Sequence, residues 1–382
     1  MSLLSRGVEK LYPNETAFNE RLVNGPLEIY HGIDPTGRTL HIGHLSILLK
    51  LRDLQVAGHK ITILIGDFTA MIGDPTDKNA TRQNLTKEEV LANCEGYKEQ
   101  IGRILDLTKT KFVYNSSWLA EMTLTAFINL ATEVTTGQLL ERDMFVKRLA
   151  TGQPIYLHEF IYPILQGYDS VVLNTDMEVG GNDQTFNMLI GRTLEKNRGK
   201  EKLVLTLKLL TDPSGKKMSK SEGNIVALND APDQIYGQVM SWSDEMMPLA
   251  FELCTRVAEG EIATILTDHP RDAKMRLARE IVTLIWDESA AKKAEEQFVN
   301  LFQTKGVAKE LTEIEVKTGD LLMEVLVNNK IVSSKAEYRR LLESKAIKLW
   351  LADEVISDPD FKLESDLVVK VGKHRFLKIR VI

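Results

Sequence analysis

Two histidines separated by a dipeptide stand at the predicted start of a helix. His41-Ile42-Gly43-His44 follows an apolar run and a turn-rich segment, Asp34-Pro35-Thr36-Gly37. The free N–H groups and the dipole of a helix N-terminus attract phosphate, and paired imidazoles can donate hydrogen bonds to oxygens as negative charge develops on them. A glycine between them leaves room for a flat ring against the backbone. A helix start capped by two histidines would have the same pattern.

Lysines on a Gly/Ser-containing segment form a second candidate. The segment reads Lys217-Met218-Ser219-Lys220-Ser221, and Gly215 and Gly223 flank it. Lysines on a flexible loop can clamp a triphosphate whose charge rises in the transition state. Taken alone, the segment could be a solvated surface loop. The histidine and lysine motifs together, in this order, indicate a nucleotide site.

Three polar side chains recur on one side of a predicted helix. Tyr162, Gln166 and Asp169 are spaced i, i+4 and i+7, which places them on the same helical face. A buried carboxylate that accepts a phenol proton would select a hydroxylated ring, because an analogue without the hydroxyl leaves it unpaired. An amphipathic helix with a polar surface stripe would look the same.

The elements that must position these residues alternate between strands and helices. Apolar runs predict four strands: Leu27–Ile33, Lys60–Ile65, Ser170–Leu173 and Leu203–Leu207. Helical spacing runs from His41 to Gly58, and a capping box at Thr86-Lys87-Glu88-Glu89 opens a helix predicted to end near Leu107. This alternation predicts an α/β fold with a Rossmann-like, doubly wound parallel sheet.

The strand pattern stops after about Asn224, and two smaller regions follow. Helical patterns occupy Gln234–Ser241, Met247–Val257 and Arg271–Trp286. Residues 303–319 are polar and aperiodic, as in a linker, and the rest has helical patterns followed by short strands. The predicted organisation is a catalytic domain over residues 1–224, an all-α domain over 225–302, a linker over 303–319 and a small α+β module over 320–382.

Composition limits the class of protein. The chain has 382 residues, 43% of them hydrophobic, and a net charge of −6, the balance of a globular protein. Its apolar runs are shorter than the roughly 20 residues of a membrane-spanning helix, and residues 1–10 lack a secretory signal pattern. Cys94 and Cys254 are too few for a disulfide framework or a four-thiolate zinc site. We expect a cytoplasmic protein with no membrane partner.

The histidine and lysine motifs resemble the HIGH and KMSKS signatures of class I aminoacyl-tRNA synthetases, which activate an amino acid with ATP. Four further segments resemble the tyrosyl-tRNA synthetases of bacterial type: Tyr30–Thr36, Thr69–Asp74, Tyr162–Asp169 and Val179–Gln184. The resemblance covers essentially the whole chain. It implies that L-tyrosine and ATP form tyrosyl-adenylate and pyrophosphate, and that tyrosyl is then transferred to the 3′-end of tRNA(Tyr).

The resemblance also implies roles for single residues. Tyr30 and Asp169 would bind the phenolic hydroxyl, a discrimination for which this family is the standard example. The ammonium group would contact Asp74, Tyr162 and Gln166. The complete implied tyrosine site is Tyr30, Asp34, Asp74, Tyr162, Gln166, Asp169 and Gln184. The implied ATP site is His41, Gly43, His44, Gly181, Asp183, Lys217, Met218, Ser219, Lys220 and Ser221.

The implied reaction needs no protein nucleophile, because the tyrosine carboxylate itself attacks the α-phosphorus. Catalysis would depend on position and charge stabilisation. Thr36, His41 and His44 would lie on one side of the phosphates, and Lys217 and Lys220 on the other. Mg²⁺ would arrive with ATP, since no cluster of carboxylates suggests a protein-ligated metal.

The remaining segments of the chain suggest an RNA partner. His269–Asp272 resembles the start of the family's helical anticodon domain, and Val332–Leu342 resembles its small RNA-binding module. Residues proposed to contact tRNA phosphates are Arg339, Arg340, Lys345 and Lys348. The last thirteen residues, Lys370–Ile382, hold five Lys or Arg and no acid. Local positive charge of this kind can attract a polyanion. An ordinary solvated surface would have the same sequence pattern.

The resemblance further implies a symmetric homodimer. A connective insertion at about residues 115–160 would supply the interface, much of it from Trp118–Leu149. An apolar stripe of Phe127, Ile128, Leu130 and Ala131 is compatible with an interface, and an internal core helix would have the same pattern.

Two departures from the common family pattern stand near the pocket. Glu178 replaces a glutamine found in many relatives, and Thr185-Phe186-Asn187 replaces Trp-Gly-Asn. Both features resemble a second bacterial branch of the family. They leave undetermined which residues hydrogen-bond to the Gln166 side chain.

Three other functions share some of these features. A tryptophan-activating sister enzyme is disfavoured by Tyr30 with Asp169, and a small-metabolite adenylyltransferase by the second lysine motif and the appended domains. A non-catalytic RNA-binding scaffold is disfavoured by the intact His41 and His44 and by the lysine motif.

Overall fold

The computed structural model describes residues 3–75, 85–212, 215, 226–302, 313–329, 331–349, 354–363, 367–372 and 375–381. The chain divides into two compact units, Met1–Ala291 and Lys292–Ile382. In the described part of the chain, no helix is long and apolar enough to cross a bilayer.

A six-stranded sheet is the centre of the first unit. Its strands are β1 (Val8–Tyr12), β2 (Glu28–Ile33), β3 (Lys60–Ile65), β4 (Thr110–Tyr114), β5 (Met177–Gly181) and β6 (Leu203–Leu207). Their spatial order is β1-β6-β5-β2-β3-β4. All neighbours pair in parallel except β1, which is antiparallel to β6. The sheet is therefore mixed but mainly parallel, with an antiparallel edge strand that the sequence prediction lacked.

Chain order changes direction between β2 and β5. From β2 the chain proceeds to β3 and β4 on one side, and β5 and β6 lie on the other side. In open α/β sheets, ligands bind beyond the carboxyl ends of the strands at such a switch point. The segments that follow Ile33 and Gly181 meet there.

Helices surround this sheet. They are α1 (Glu15–Leu22), α2 (Ile42–Val56), α3 (Thr69–Ile72), α4 (Lys87–Cys94), α5 (Tyr97–Gly102), α6 (Ser116–Leu119), α7 (Leu124–Ala131), α8 (Thr136–Leu140), α9 (Asp143–Ala150), α10 (Leu157–Leu173) and α11 (Thr185–Asn197). The Thr86 capping box forms as predicted. The helix expected to continue to Leu107 instead breaks at Gly96, which separates α4 from α5.

The predicted strand at Ser170–Leu173 is wrong. These residues form the last turns of α10, a helix of 17 residues. Tertiary packing explains the difference: a Cβ added at Gly167 would lie 3.2 Å from the backbone nitrogen of Gly191, so α10 and α11 are in close contact. The fourth strand of the parallel set is β5, which ends at Gly181.

A helical region completes the first unit. It consists of α12 (Pro232–Met240), α13 (Met247–Cys254), α14 (Glu259–Ile265) and α15 (Pro270–Ile285). The next helix, α16 (Glu288–Phe302), spans the division between the two units. The buried Arg6 guanidinium donates to the carbonyl oxygens of Phe251, Glu252 and Val257 at 2.6 to 2.7 Å. These bonds satisfy carbonyl groups at the end of α13 and tie this region to the N-terminal segment.

The second unit has a sheet and a core of its own. Its elements are β7 (Glu313–Val316), α17 (Leu322–Asn328), α18 (Lys335–Glu343), β8 (Ile347–Leu349), β9 (Glu354–Val355), β10 (Leu367–Val371) and β11 (Arg375–Val381), with strand order β7-β11-β10-β8-β9. Leu322, Leu326 and Tyr338 pack under the sheet with Val369 and Leu377. Strand β7 lies within the segment expected to be a linker. The predicted domain boundaries stay a prediction.

Candidate active site

A cavity of about 260 Å³ opens at the switch point of the first sheet. Its lining contains all the candidate tyrosine- and nucleotide-site residues that the structure describes: Tyr30, Asp34, Thr36, His41, Gly43, His44, Asp74, Tyr162, Gln166, Asp169, Gly181, Asp183 and Gln184. The lysine motif, Lys217, Met218, Ser219, Lys220 and Ser221, lies outside the described residues. Residues from five separate segments of sequence therefore meet in one cleft.

The two histidines begin α2, and their hydrogen bonds fix their tautomers. The Gly43 N–H donates to His41 Nδ1 at 3.1 Å, and the His41 N–H donates to His44 Nδ1 at 3.1 Å. Because a backbone N–H can only donate, both Nδ1 atoms are acceptors. In the neutral imidazoles the proton is then on Nε2. A Cβ on Gly43 would lie 3.0 Å from the His41 ring, so a larger residue would disturb this arrangement.

A short backbone ladder connects the start of α2 to the chain that follows the lysine motif. The Ile42 N–H donates to the Val226 carbonyl at 2.9 Å, and the Leu228 N–H donates to the Leu40 carbonyl at 2.9 Å. Arg103 donates to the Leu228 carbonyl at 2.9 Å. Val226, which is six positions after Lys220 in the sequence, is therefore held beside the histidine motif.

Asp34 occupies the middle of the cavity. Its Oδ1 accepts from the Thr69 hydroxyl at 2.7 Å, and its Oδ2 accepts from the Tyr162 hydroxyl at 2.8 Å. Burial, and secondarily the Asp34 charge, raise the pKa of Tyr162 well above its ordinary value. A Cβ at Gly66 would lie 1.9 Å from Asp34 Oδ1, so glycine is required where β3 ends.

Asp169 is a buried carboxylate held by two nitrogen donors. Trp118 Nε1 donates to its Oδ1 at 2.8 Å, and Asn115 Nδ2 donates to its Oδ2 at 3.1 Å. Burial raises the pKa of Asp169 to about 8, and the two hydrogen bonds oppose that shift. Both partners donate, so each carboxyl oxygen is an acceptor, and in its deprotonated form the group has lone pairs left for further donors.

Asp74 and Gln184 are linked at the opposite side of the cavity. Gln184 Nε2 donates to Asp74 Oδ2 at 2.6 Å, and Arg142 lies 3.4 Å from Asp74 Oδ1. Asn187 donates to Gln184 Oε1 at 3.0 Å. The buried Oε1 of Gln166 has no hydrogen-bond partner among the described residues. An oxygen acceptor therefore remains available on a residue that lines the same cavity as Asp74.

Tyr30 ends in a buried polar cluster behind the cavity. Its hydroxyl lies 2.7 Å from Ser170 Oγ and 3.2 Å from Lys202 Nζ. Lys202 also forms an ion pair with Glu178 at 2.9 Å. Burial and the neighbouring Glu178 raise the pKa of Tyr30 well above its ordinary value.

Sequence reasoning missed four residues of this site: Asn115, Trp118, Arg142 and Lys202. Asn115 directly follows β4, and the position after the carboxyl end of a parallel strand is a signal that could have found it. The others are distant in sequence from the residues that they contact, and no local pattern marks them.

The candidate RNA-contacting residues lie in the second unit. Arg339 and Arg340 are exposed on α18, Lys345 is exposed after it, and Lys348 is on β8. Glu337 of the same helix forms an ion pair with Arg375 at 3.0 Å. In the first unit, His269 caps α15 through a bond from the Arg271 N–H.

The described residues contain no group of three or more His, Cys, Asp or Glu arranged to bind a metal ion. Asp34, Asp74 and Asp169 of the cavity each contact hydroxyl, amide, indole or guanidinium groups instead of sharing one centre.

Comparison with known proteins agrees with this geometry. A family model described as "tRNA synthetases class I (W and Y)" matches residues 22–303. A tyrosine–tRNA ligase 2 of Vibrio parahaemolyticus is 43% identical over 386 residues, which cover 99% of this chain and 97% of that protein. A tyrosine–tRNA ligase of Moorella thermoacetica is 41% identical over 394 residues, with 99% and 95% covered.

Solved structures are also similar. A C-terminally truncated mitochondrial tyrosyl-tRNA synthetase of Coccidioides posadasii has a TM-score of 0.64 and 26% identity, and covers 77% of this chain and 90% of its own. A tyrosyl-tRNA synthetase of Archaeoglobus fulgidus in complex with L-tyrosine has a TM-score of 0.60 at 22% identity, covers 77% of this chain and 98% of its own, and supports the fold alone. The match of the family model over most of the chain, together with the near-complete alignment to the ligases, establishes that this chain belongs to the tyrosyl-tRNA synthetases of class I.

Proposed function

We propose that this chain activates L-tyrosine with ATP to form tyrosyl-adenylate and then transfers tyrosyl to the 3′-end of tRNA(Tyr). The observation that carries the proposal is the buried Asp169 carboxylate, held by two N–H donors in the same cavity as the paired histidines. A carboxylate there can accept a phenol proton, and the adjoining helix start can bind phosphate.

The amino acid would lie across the cavity between Asp169 and Asp74. Its phenolic hydroxyl would donate to Asp169, and Tyr30 would contact the same oxygen. Its ammonium would bind the Asp74 carboxylate, the unpartnered Gln166 Oε1 and the Tyr162 hydroxyl. Gln184 Nε2 carries a second hydrogen besides the one given to Asp74, and that hydrogen would serve the substrate carboxylate. Asp34 would keep Tyr162 in place.

ATP would bind at the start of α2. The Nε2–H groups of His41 and His44 would donate to its phosphates, with Thr36 beside them, and the adenine ring would lie against Gly43. Gly181, the last residue of β5, and Asp183, which follows that strand, would contact the ribose. The lysine motif would close over the triphosphate from the other side, with Lys217 and Lys220 as its charges.

The tyrosine carboxylate would attack the α-phosphorus in line and expel pyrophosphate. Phosphorus exchanges one oxygen partner for another, so the protein supplies no nucleophile. The imidazole donors and lysine charges stabilise the negative charge that shifts towards pyrophosphate. Mg²⁺ would come with ATP as part of the substrate. In the second step a ribose hydroxyl of tRNA displaces the adenylate.

Other parts of the chain carry further elements of the proposal. Leu124, Ile128 and Leu149 of the α7–α9 segment are exposed apolar residues, and Leu130 is buried in the unit's own core. The exposed residues would form part of a homodimer interface. Arg339, Arg340, Lys345 and Lys348 would contact tRNA phosphates. The helical region after α12 would serve anticodon recognition, and the cytoplasm would be the compartment.

The test is exchange of labelled pyrophosphate into ATP, measured with each of the twenty amino acids. Tyrosine should support exchange with a far higher kcat/KM than any other amino acid, and Asp169→Ala should abolish tyrosine exchange while circular dichroism shows an intact fold. Exchange with tryptophan would assign the chain to tryptophan activation, and none with any amino acid would favour a non-catalytic RNA-binding protein. Tyrosine exchange that survives in Asp169→Ala would contradict the pocket assignment.

A further inference from the structure

A buried cation lies behind the tyrosine pocket. Lys202, just before β6, has an exposed fraction of 0%, and its partner Glu178 on β5 is 3% exposed. Such a pair costs desolvation energy that its mutual attraction often only offsets. An apolar pair would serve the core as well, so the position of this one calls for a functional explanation.

The Lys202 ammonium has three hydrogens and three oxygen partners. It donates to Glu178 Oε2 at 2.9 Å, to Tyr30 Oη at 3.2 Å, and to Ser170 Oγ in a short contact. Its nitrogen also lies 4.4 Å from the centre of the Tyr30 ring. The ammonium is therefore fully hydrogen-bonded, and it links the ion pair directly to the residue that faces the substrate's phenol.

The hydroxyl hydrogens of Ser170 and Tyr30 then have two possible arrangements. Ser170 Oγ is 2.7 Å from Tyr30 Oη and 3.2 Å from Glu178 Oε2, and its single hydrogen can go to only one of them. If it goes to Glu178, Tyr30 gives its own hydrogen to Ser170. If it goes to Tyr30, the Tyr30 hydrogen must point elsewhere.

We propose that Lys202 is a positioning residue that makes Tyr30 a hydrogen-bond donor to the substrate's phenolic oxygen. Lys202 donates to Glu178 Oε2 at 2.9 Å and so competes with the longer Ser170 contact, 3.2 Å, to the same oxygen. Ser170 then donates over the shorter distance to Tyr30. With both Tyr30 lone pairs occupied, by Lys202 and by Ser170, its O–H is directed into the cavity.

This arrangement complements Asp169 and rests on the proposed function. Asp169 accepts hydrogen bonds from Asn115 and Trp118, so it would take the single proton of the substrate's phenol. The phenolic oxygen then needs a donor, which Tyr30 provides. Without Lys202, Tyr30 would donate to Ser170 and would meet the phenolic oxygen with lone pairs. Phenylalanine has no such oxygen, so only tyrosine would be affected.

The test is Lys202→Met, a side chain of similar length without charge or donors. kcat and KM for pyrophosphate exchange are measured with tyrosine and with phenylalanine. We expect kcat/KM for tyrosine to fall about tenfold, the effect of one hydrogen bond of usual strength, with that for phenylalanine unchanged. An equal loss for both amino acids would overturn the proposal, because a packing role does not discriminate between them.

A double-mutant cycle tests whether Lys202 acts through Tyr30. In a Tyr30→Phe background, Lys202→Met should have no further effect on the tyrosine-to-phenylalanine ratio; an additive loss would overturn the proposal. Lys200→Met is the matched control, because Lys200 lies two positions away, partly exposed, and contacts Asn174 and Glu195 instead. It should leave the ratio unchanged.

Loss of the cation leaves Glu178 buried without a counter-charge, so thermal unfolding of each variant is measured alongside. If Lys202→Met does not fold, the double variant Lys202→Met/Glu178→Gln removes both charges and should show the same selective loss for tyrosine. Unchanged selectivity in a folded double variant would contradict the proposal. If the unaltered protein does not catalyse pyrophosphate exchange with tyrosine, the proposed function itself is contradicted. This outcome is therefore distinguishable from a failure of the proposal on Lys202.

Discussion

Asp169 shows how one residue of this site combines burial with acceptor capacity. Its carboxyl group is 2% exposed and receives two N–H donors, while the surroundings disfavour its charge. A carboxyl in water would already be hydrated, and its preference for a hydroxylated ring would be weak. Inside the protein, an analogue that cannot donate leaves the group unpaired at a cost of about 1–3 kcal/mol or more for a charge.

The raised pKa of Asp169, about 8 against an ordinary 3.8, predicts a pH effect on stability. Between these values the folded chain holds a proton that the unfolded chain has released. The contribution to stability is complete below about pH 4 and is lost as the pH rises to about 8, with a slope of up to about 1.4 kcal/mol per pH unit. The free energies of unfolding of the wild type and of Asp169→Asn, both measured in urea, should therefore diverge from pH 5 to 8. Over this range the wild type loses stability relative to the variant. A constant difference would contradict the assignment.

At the residue scale, the structure brings the described candidate residues into one cavity, and there is a physical reason why their positions leave sequence motifs. Ligand-contacting side chains follow strand ends and helix starts, and those positions leave local patterns such as His41–His44. The residues that hold these side chains in place leave no local sequence pattern. Trp118 and Lys202 act across 51 and 172 positions of sequence, and only the folded chain brings them to their partners.

At the element scale, a ladder of backbone hydrogen bonds joins Leu40–Ile42 to Val226–Leu228, the segment that follows the lysine motif in the sequence. Its bonds are between backbone atoms, so most substitutions there preserve them. Proline is the exception because it has no N–H. Ile42 is the first residue of α2, where proline is compatible with the helix, and His41 already has the extended backbone that precedes proline, with φ −134° and ψ 176°.

Ile42→Pro should therefore remove the bond to Val226 while α2 persists. The expected result is a loss of up to about tenfold in kcat/KM for ATP in pyrophosphate exchange, since one hydrogen bond of about 0.5–1.5 kcal/mol is removed. Ile42→Ala is the matched control, because it deletes the same buried side chain and retains the N–H. Equal effects of the two substitutions would show that the ladder does not matter for nucleotide binding.

Element boundaries were predictable where local chemistry decides them. Lys60–Ile65 and Leu203–Leu207 are strands as expected, and the Thr86 capping box starts a helix. The strand predicted at Ser170–Leu173 is wrong because a short apolar run is compatible with both a strand and a helix. Here the contact between α10 and α11 favours the helix. That contact depends on Gly191, which is 24 positions from Gly167.

On the scale of the whole molecule, the two units carry separate cores, and this predicts separable activities. A chain lacking residues 313–382 should still exchange pyrophosphate with tyrosine, because the cavity lies wholly within the first unit. Its KM for tRNA should rise by at least about tenfold at low salt, since phosphate contacts are lost. The deletion starts at Glu313 because β7 pairs with β11 in the second sheet.

The full-length variant with alanine at Arg339, Arg340, Lys345 and Lys348 is the control for the deletion. It should show a similar rise in KM for tRNA, together with a weaker dependence on salt. An unchanged KM for tRNA in both proteins would refute an RNA-binding role for the second unit.

The contact of Gly167 with Gly191 has a consequence for altering what the cleft accepts. Tyr162, Gln166 and Asp169 stand on α10, and Asn187, which holds Gln184, stands on α11. Backbone touching backbone at the two glycines sets the separation of these helices at its minimum. Shortening side chains to admit a bulkier ring would keep that spacing. An alanine at either glycine would instead force the two helices, or the side chains packed between them, to shift, and the residues that line the cleft would shift with them.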